Sequence, residues 1–210
     1  MKTYRSVNSI FFSAIVGAAW TIVLLSVAAG CADDDPRKED TPELITKVTL
    51  TFTPANGDPA IIVTASDPDL GGLQDIIVDD EIDLKSQTRY ALTIRLINEL
   101  AKPSEPAYNI AAEVSEEGDE HMFFFGWTGN VFSAPGGNGN IDNRSDEVNY
   151  EDTDDNGLPL GLETTWTTSE ASTGTFRIIL KHQPELKSAT SSSDTGETDL
   201  DIQFEIKVSD

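Results

Sequence analysis

Four stretches of the chain alternate apolar and polar residues with a period of two. Val48, Leu50 and Phe52 are separated by Thr49 and Thr51. Tyr90, Leu92, Ile94 and Leu96 alternate with Ala91, Thr93 and Arg95. Phe176, Ile178 and Leu180 alternate with Arg177 and Ile179, and Lys181 follows. Leu200, Ile202, Phe204, Ile206 and Val208 alternate with Asp201, Gln203, Glu205 and Lys207. Successive side chains of a strand point to opposite faces, so each stretch predicts a strand with one buried and one wet face. Further strands are predicted over 61–65, 122–127, 148–150 and 162–168, with a weaker one over 76–84.

Between them stand turn-forming clusters: PANGDP, SDPDLGG, SAPGGNGNIDN, DTDDNGLP and SSSDTGE. One helix is predicted, with Asn109 as its cap, residues 110–117 as its body and Gly118 just past its end. There is no βαβ rhythm and no repeat of fixed period. The pattern therefore predicts an all-β fold over 43–210: an antiparallel β-sandwich, Ig-like or Greek-key, with one short helix. Trp127, Trp166, Phe123 and Phe125 are expected in its core.

The N-terminus has a different pattern. Lys2 and Arg5 are followed by the uncharged, apolar stretch 10–29, and then by Gly30 and Cys31. A basic start, an apolar run and small residues make a secretory signal peptide; an uncleaved membrane-spanning helix is the alternative. The stretch Val27-Ala28-Ala29-Gly30-Cys31 resembles a bacterial lipobox, although Leu is more usual where Ala28 stands. The resemblance implies cleavage before Cys31 and acylation of its sulfur, with palmitate among the acyl chains. Residues 1–30 are then the lipoprotein signal peptide and 31–42 an acidic, proline-punctuated flexible tether. The Ala32-Asp33-Asp34-Asp35 run also resembles the acidic tag of surface-exposed lipoproteins. The expected location is the cell envelope, at the outer membrane, with the lipid as its membrane contact.

Charge narrows the function. The formal net charge is −23, and removal of the first thirty residues takes away two positive charges and no negative ones. Such a field repels nucleic acid. A single cysteine excludes an internal disulfide and the multi-cysteine zinc patterns. No nucleophile-elbow or H-E-x-x-H motif is present, so no enzyme is expected.

The segments EEGDEHMFFF (116–125), NGLPLG (156–161), GTFRIILKHQPELK (174–187) and GETDLDIQFEI (196–206) resemble a family of small Bacteroidota-type lipoproteins. Its members often carry the label "type 1 periplasmic binding fold superfamily protein". The resemblance implies an envelope lipoprotein and carries no activity or site residues. The label implies α/β lobes with parallel strands, whereas the period-two pattern here implies antiparallel β.

The sharpest chemical motif runs from Asp152 to Glu163. It fits the calcium-loop spacing D-x-[DN]-x-[DN]-G-x₅-E. Asp152, Asp154, Asn156, Leu158 and Glu163 then fall at ligand positions for Ca²⁺, with Gly157 at the sharp turn. The flanking residues are strand-like, which argues for a calcium loop between strands rather than an EF-hand. The alternative is an acidic hairpin that turns at Asn156-Gly157. Asp67, Asp69, Asp79, Asp80 and Glu81 form a second acidic group. His121, His182 and Glu120 would build a transition-metal site if their strands are neighbours. The function expected is that of a lipid-anchored binding or structural accessory module with an envelope protein or glycan as partner. The alternative is a calcium-dependent adhesion or glycan-binding domain.

Overall fold

The computed structural model describes residues 43–68 and 76–210. The signal peptide, Cys31 and the tether lie outside the described residues, as does Asp69. The ten strands are β1 (Lys47–Pro54), β2 (Ile61–Ser66), β3 (Ile77–Val78), β4 (Ile82–Lys85), β5 (Arg89–Ile97), β6 (His121–Trp127), β7 (Phe132–Ala134), β8 (Glu163–Thr168), β9 (Ser172–His182) and β10 (Glu197–Ser209). A 3₁₀ turn (Pro106–Tyr108) leads into the single α-helix among them, α1 (Ile110–Glu116).

The strands form two sheets. The larger has the order β3-β2-β1-β5-β8-β7 and the smaller β4-β10-β9-β6. Every pairing is antiparallel except that of β4 beside β10, which is parallel. The fold is an all-β, two-sheet sandwich, as the alternation predicts. β10 shows the cause most plainly. From Leu200 on, Leu200, Ile202, Phe204, Ile206 and Val208 are buried, and the polar residues between them are exposed. The inner faces of both sheets meet in one core.

That core is aromatic. Trp166 packs edge-on against Trp127 at 5.2 Å and Phe176 at 5.1 Å, and Phe125 stacks on Phe176 at 6.0 Å. Burial of each such ring contributes about 4–6 kcal/mol of transfer free energy, and edge-on geometry suits the ring quadrupoles. Trp166 still needs a partner for its indole N–H, and it donates to Thr164 Oγ1 at 2.7 Å.

Three local expectations are corrected. The predicted strand over 76–84 is two short strands, β3 and β4, separated by the turn-forming Asp79-Asp80-Glu81. Residues 148–150 make only an isolated bridge, Tyr150 to Thr164. β7 was not predicted, since three residues are too few to show a period. The helix stops at Glu116, and Asn109 caps it without a side-chain hydrogen bond.

β6 is the outer strand of the smaller sheet. An open edge invites pairing with other chains. Here residues 138–160 cover it. Phe123 N donates to Leu160 O at 2.8 Å, Trp127 N to Asn138 O at 3.0 Å and Asn140 N to Phe125 O at 2.8 Å. The fully buried Asn140 also accepts from Phe125 N through Oδ1 at 3.0 Å. Tyr150 donates its hydroxyl to Phe123 O at 2.7 Å, and burial pushes that hydroxyl's pKa up. The glycine-rich stretch therefore serves as an edge cover. Gly139 shows why glycine is needed, because its φ is +93° and a Cβ there would overlap the Phe125 carbonyl.

Candidate functional site

The two acidic motifs have distinct surroundings. In the first, Asp152 is half-buried, and its carboxylate accepts the amides of Gly161 (2.8 Å), Leu162 (2.8 Å) and Glu163 (3.2 Å). Burial raises its pKa against the pull of those amides. Asp154 Oδ1 accepts the amides of Asn156 at 2.9 Å and Leu158 at 2.8 Å. The Leu158 carbonyl accepts Asp154 N at 2.8 Å, and Gly157 N closes the turn on Asp154 O at 2.9 Å. Asn156 and Glu163 are exposed. The backbone is the hairpin turn at Asn156-Gly157, with Gly157 at φ +76° and a bridge between Thr153 and Pro159.

The second oxygen of Asp154 faces a cation that belongs to the chain. Lys187 Nζ lies 2.9 Å from Oδ2, and both side chains are fully buried. The same ammonium donates to Gly118 O, just past α1, at 2.6 Å. Burial alone would raise the Asp154 carboxyl; Lys187 and the amides of Leu158 and Asn156 outweigh it and hold the group below the usual carboxylate range. Nothing in the sequence pairs residue 187 with 154, which is why this contact escapes pattern reading.

In the second acidic group, Asp79 and Asp80 trim the β2 edge. Asp79 accepts the hydroxyls of Ser66 (2.8 Å) and Thr64 (3.2 Å), and Asp80 accepts the Thr64 amide at 3.3 Å. Asp67 is buried elsewhere in the same strand connection, with its amide on Thr46 O at 2.8 Å.

The histidines converge at one end of the sandwich. β6 and β9 are neighbours, and His121 pairs directly with His182. Their rings stack at 4.7 Å with 10° between planes. His182 Nε2 lies 3.3 Å from Glu120 Oε2. Both histidines share the inward parity of Phe123 and Leu180, so they end the core rather than decorate the surface. His121 Nδ1 is 3.1 Å from the Glu117 carbonyl, and Nε2 is 3.6 Å from Asp199 Oδ2. Glu43, just before β1, donates its amide to Asp199 Oδ1 at 3.4 Å.

Asp199 is the residue that pattern reading misses. Strict alternation in β10 would turn it outward with Asp201. A register shift between Thr198 and Leu200 turns both Asp199 and Leu200 inward instead. Burial pushes its carboxyl up to about 6, opposed by His182 and the Glu43 amide. Beside it the buried Lys181 donates to Thr198 Oγ1 at 2.8 Å, and its own pKa is lowered by burial.

The opposite end of the sandwich is different in kind. An open hollow of about 500 Å³ is lined by Gln87, Asn130, Ser133, Thr167, Ser169 and Ser172, among others. β9 runs from Ser172 at the hollow to His182 at the histidine cluster. Its 11 residues separate the two by about 33 Å. No helix among the described residues is long and apolar enough to cross a membrane. Comparison with family models, with curated proteins and with solved structures finds no match.

Proposed function

We propose that the chain is a lipid-anchored cell-envelope module, held at the outer membrane through Cys31, whose β-sandwich binds a partner. The observation that carries this reading is the placement of the chain's single cysteine. The folded unit runs from Asp40 onward, and its core closes without Cys31. A cysteine kept outside the domain, behind a lipobox-like junction, fits an anchor rather than a packing or redox role. The test is metabolic labelling with a fatty-acid analogue. Wild type should be labelled and partition into detergent, and Cys31→Ser should do neither. Labelling that persists in Cys31→Ser would refute the anchor.

The hollow supports the binding half of the reading. The tether arrives at the histidine end, so the hollow is the end turned away from it. Its hydroxyl and amide lining suits a hydroxyl-rich partner such as a glycan. Thr167→Arg and Ser169→Arg would fill it without touching the core. Equal binding by these variants and wild type in a glycan screen would move the binding face elsewhere.

A further inference from the structure

The histidine end brings together donor atoms of mixed type from four separate parts of the chain. Glu43 comes from the approach to β1, Glu117 from the C-terminus of α1, His121 from the first position of β6, and Asp199 from the bulge of β10. One ligand atom each from Glu43, Glu117 and His121 lie within 4.8 Å of one another. The geometry points to a binding site for a zinc-class divalent transition-metal ion, with Glu43, Glu117 and His121 as ligands and Asp199 facing the imidazole as a further donor.

Three observations support the assignment. First, the imidazole is held in place before any ion arrives. Its ring stacks on His182, and its Nδ1 lies 3.1 Å from the Glu117 carbonyl. A donation from Nδ1–H to that carbonyl leaves the lone pair on Nε2, the nitrogen that faces Asp199. A ring nitrogen oriented by a hydrogen bond from its opposite nitrogen is the usual arrangement in metal-binding histidines.

Second, Asp199 aims a fully buried oxygen at the same place. Its side chain has no exposure, and Oδ2 accepts no hydrogen bond among the described residues. The 3.6 Å between Oδ2 and His121 Nε2 is long for a hydrogen bond. Two donor atoms, each about 2.0–2.2 Å from one tetrahedral ion, sit roughly 3.3–3.6 Å apart. The observed separation falls at the upper end of that range.

Third, the donor set sorts the ion. One imidazole with carboxylates suits zinc and its neighbours in the first transition row, whereas calcium and magnesium take all-oxygen shells. Three carboxylates around one imidazole also supply the negative charge that offsets the desolvation of a dication. The two glutamates are only half-buried, which leaves a path for the ion. The site is independent of the hollow and of the lipid anchor.

The test uses the full-length chain in detergent, stripped with chelator and titrated calorimetrically with Zn²⁺, with Co²⁺ as a spectroscopic probe. The expected result is one equivalent of bound Zn²⁺, a melting temperature that rises and falls back on chelation, and a Co²⁺ visible spectrum of nitrogen–oxygen character. Since His121 is buried and its removal endangers folding, the decisive variants are the isosteric Glu43→Gln and Glu117→Gln. Each should melt like wild type in chelator and bind Zn²⁺ at least tenfold more weakly. Absence of stoichiometric Zn²⁺ binding by wild type would overturn the proposal. Unchanged affinity in the double variant, or loss of binding only when Asp152 or Asp154 is changed, would do the same. So would Ca²⁺ that matches Zn²⁺ in affinity and in dependence on Glu43 and Glu117.

Discussion

Lys187 Nζ lies 2.9 Å from Asp154 Oδ2 with neither side chain exposed, so the acidic hairpin is clamped to the rest of the domain by a buried ion pair. Desolvation makes such a pair a weak source of net stability, but the loss of one member leaves the other charge stranded. Lys187→Met is expected to lower stability by about 3–5 kcal/mol, and the added Asp154→Asn change should recover much of it, because the amide keeps an oxygen for the Asn156 and Leu158 amides. Urea unfolding of the two variants beside wild type measures both effects. Full additivity of Lys187→Met and Asp154→Asn would show that the pair is not coupled.

Calcium bears on the same hairpin. Asp152 and Asp154 together accept five backbone amides, and Lys187 stands opposite Asp154 Oδ2. The expected outcome is a melting temperature that does not move in millimolar Ca²⁺. A rise that chelator reverses, and that Asp154→Ala abolishes, would instead establish the calcium loop that the spacing suggests.

Asp199 sets a pH dependence that can be measured in chelator. Its folded carboxyl titrates at about 6, above the ordinary 3.8, so the folded state binds the proton more tightly than the unfolded one does. That contribution to stability is complete below the unfolded value and is lost as pH rises through about 6. Wild type should therefore lose more stability between pH 5 and pH 7.5 than Asp199→Asn does. Parallel profiles for the two proteins would show that the carboxyl does not titrate in this window.

Gly139→Ala should cost about 3 kcal/mol or more, since it combines a left-handed backbone with overlap on the Phe125 carbonyl. Gly136→Ala, three residues earlier in open space, is the control and should be close to neutral. Thermal melts of the pair separate a specific need for glycine at the β6 edge from general looseness of the stretch.

The fold was legible wherever burial differs between the two faces of a strand. β1, β5 and β10 read directly, because one face meets the core and the other meets water. β6 read less clearly, since Met122 and Phe124 on its outer face are covered by Ile141 and Tyr150 and both parities are apolar. The site was legible only in part. The sequence places His121 and His182 near strand ends but cannot tell that the strands are neighbours until the pairing is known. Asp199 was hidden by a bulge that inverts parity, and Glu43 by its position ahead of the first strand. Lys187 looks like any surface lysine, because what buries it is a hairpin thirty residues earlier.

The course of β10 has a mechanical consequence. Its first residues lie beside Glu43, where the tether reaches the domain, and its 13 residues end at Ser209, about 40 Å away. β1 leads off from the tether in the same direction: its far end, Pro54, pairs with Tyr90, whose hydroxyl accepts the Lys85 amide beside Ser209. Tension between the membrane and a load attached after Asp210 would pull these two strands lengthwise past each other. Each has neighbours on both sides, so the ladder hydrogen bonds would share that load together instead of opening one by one.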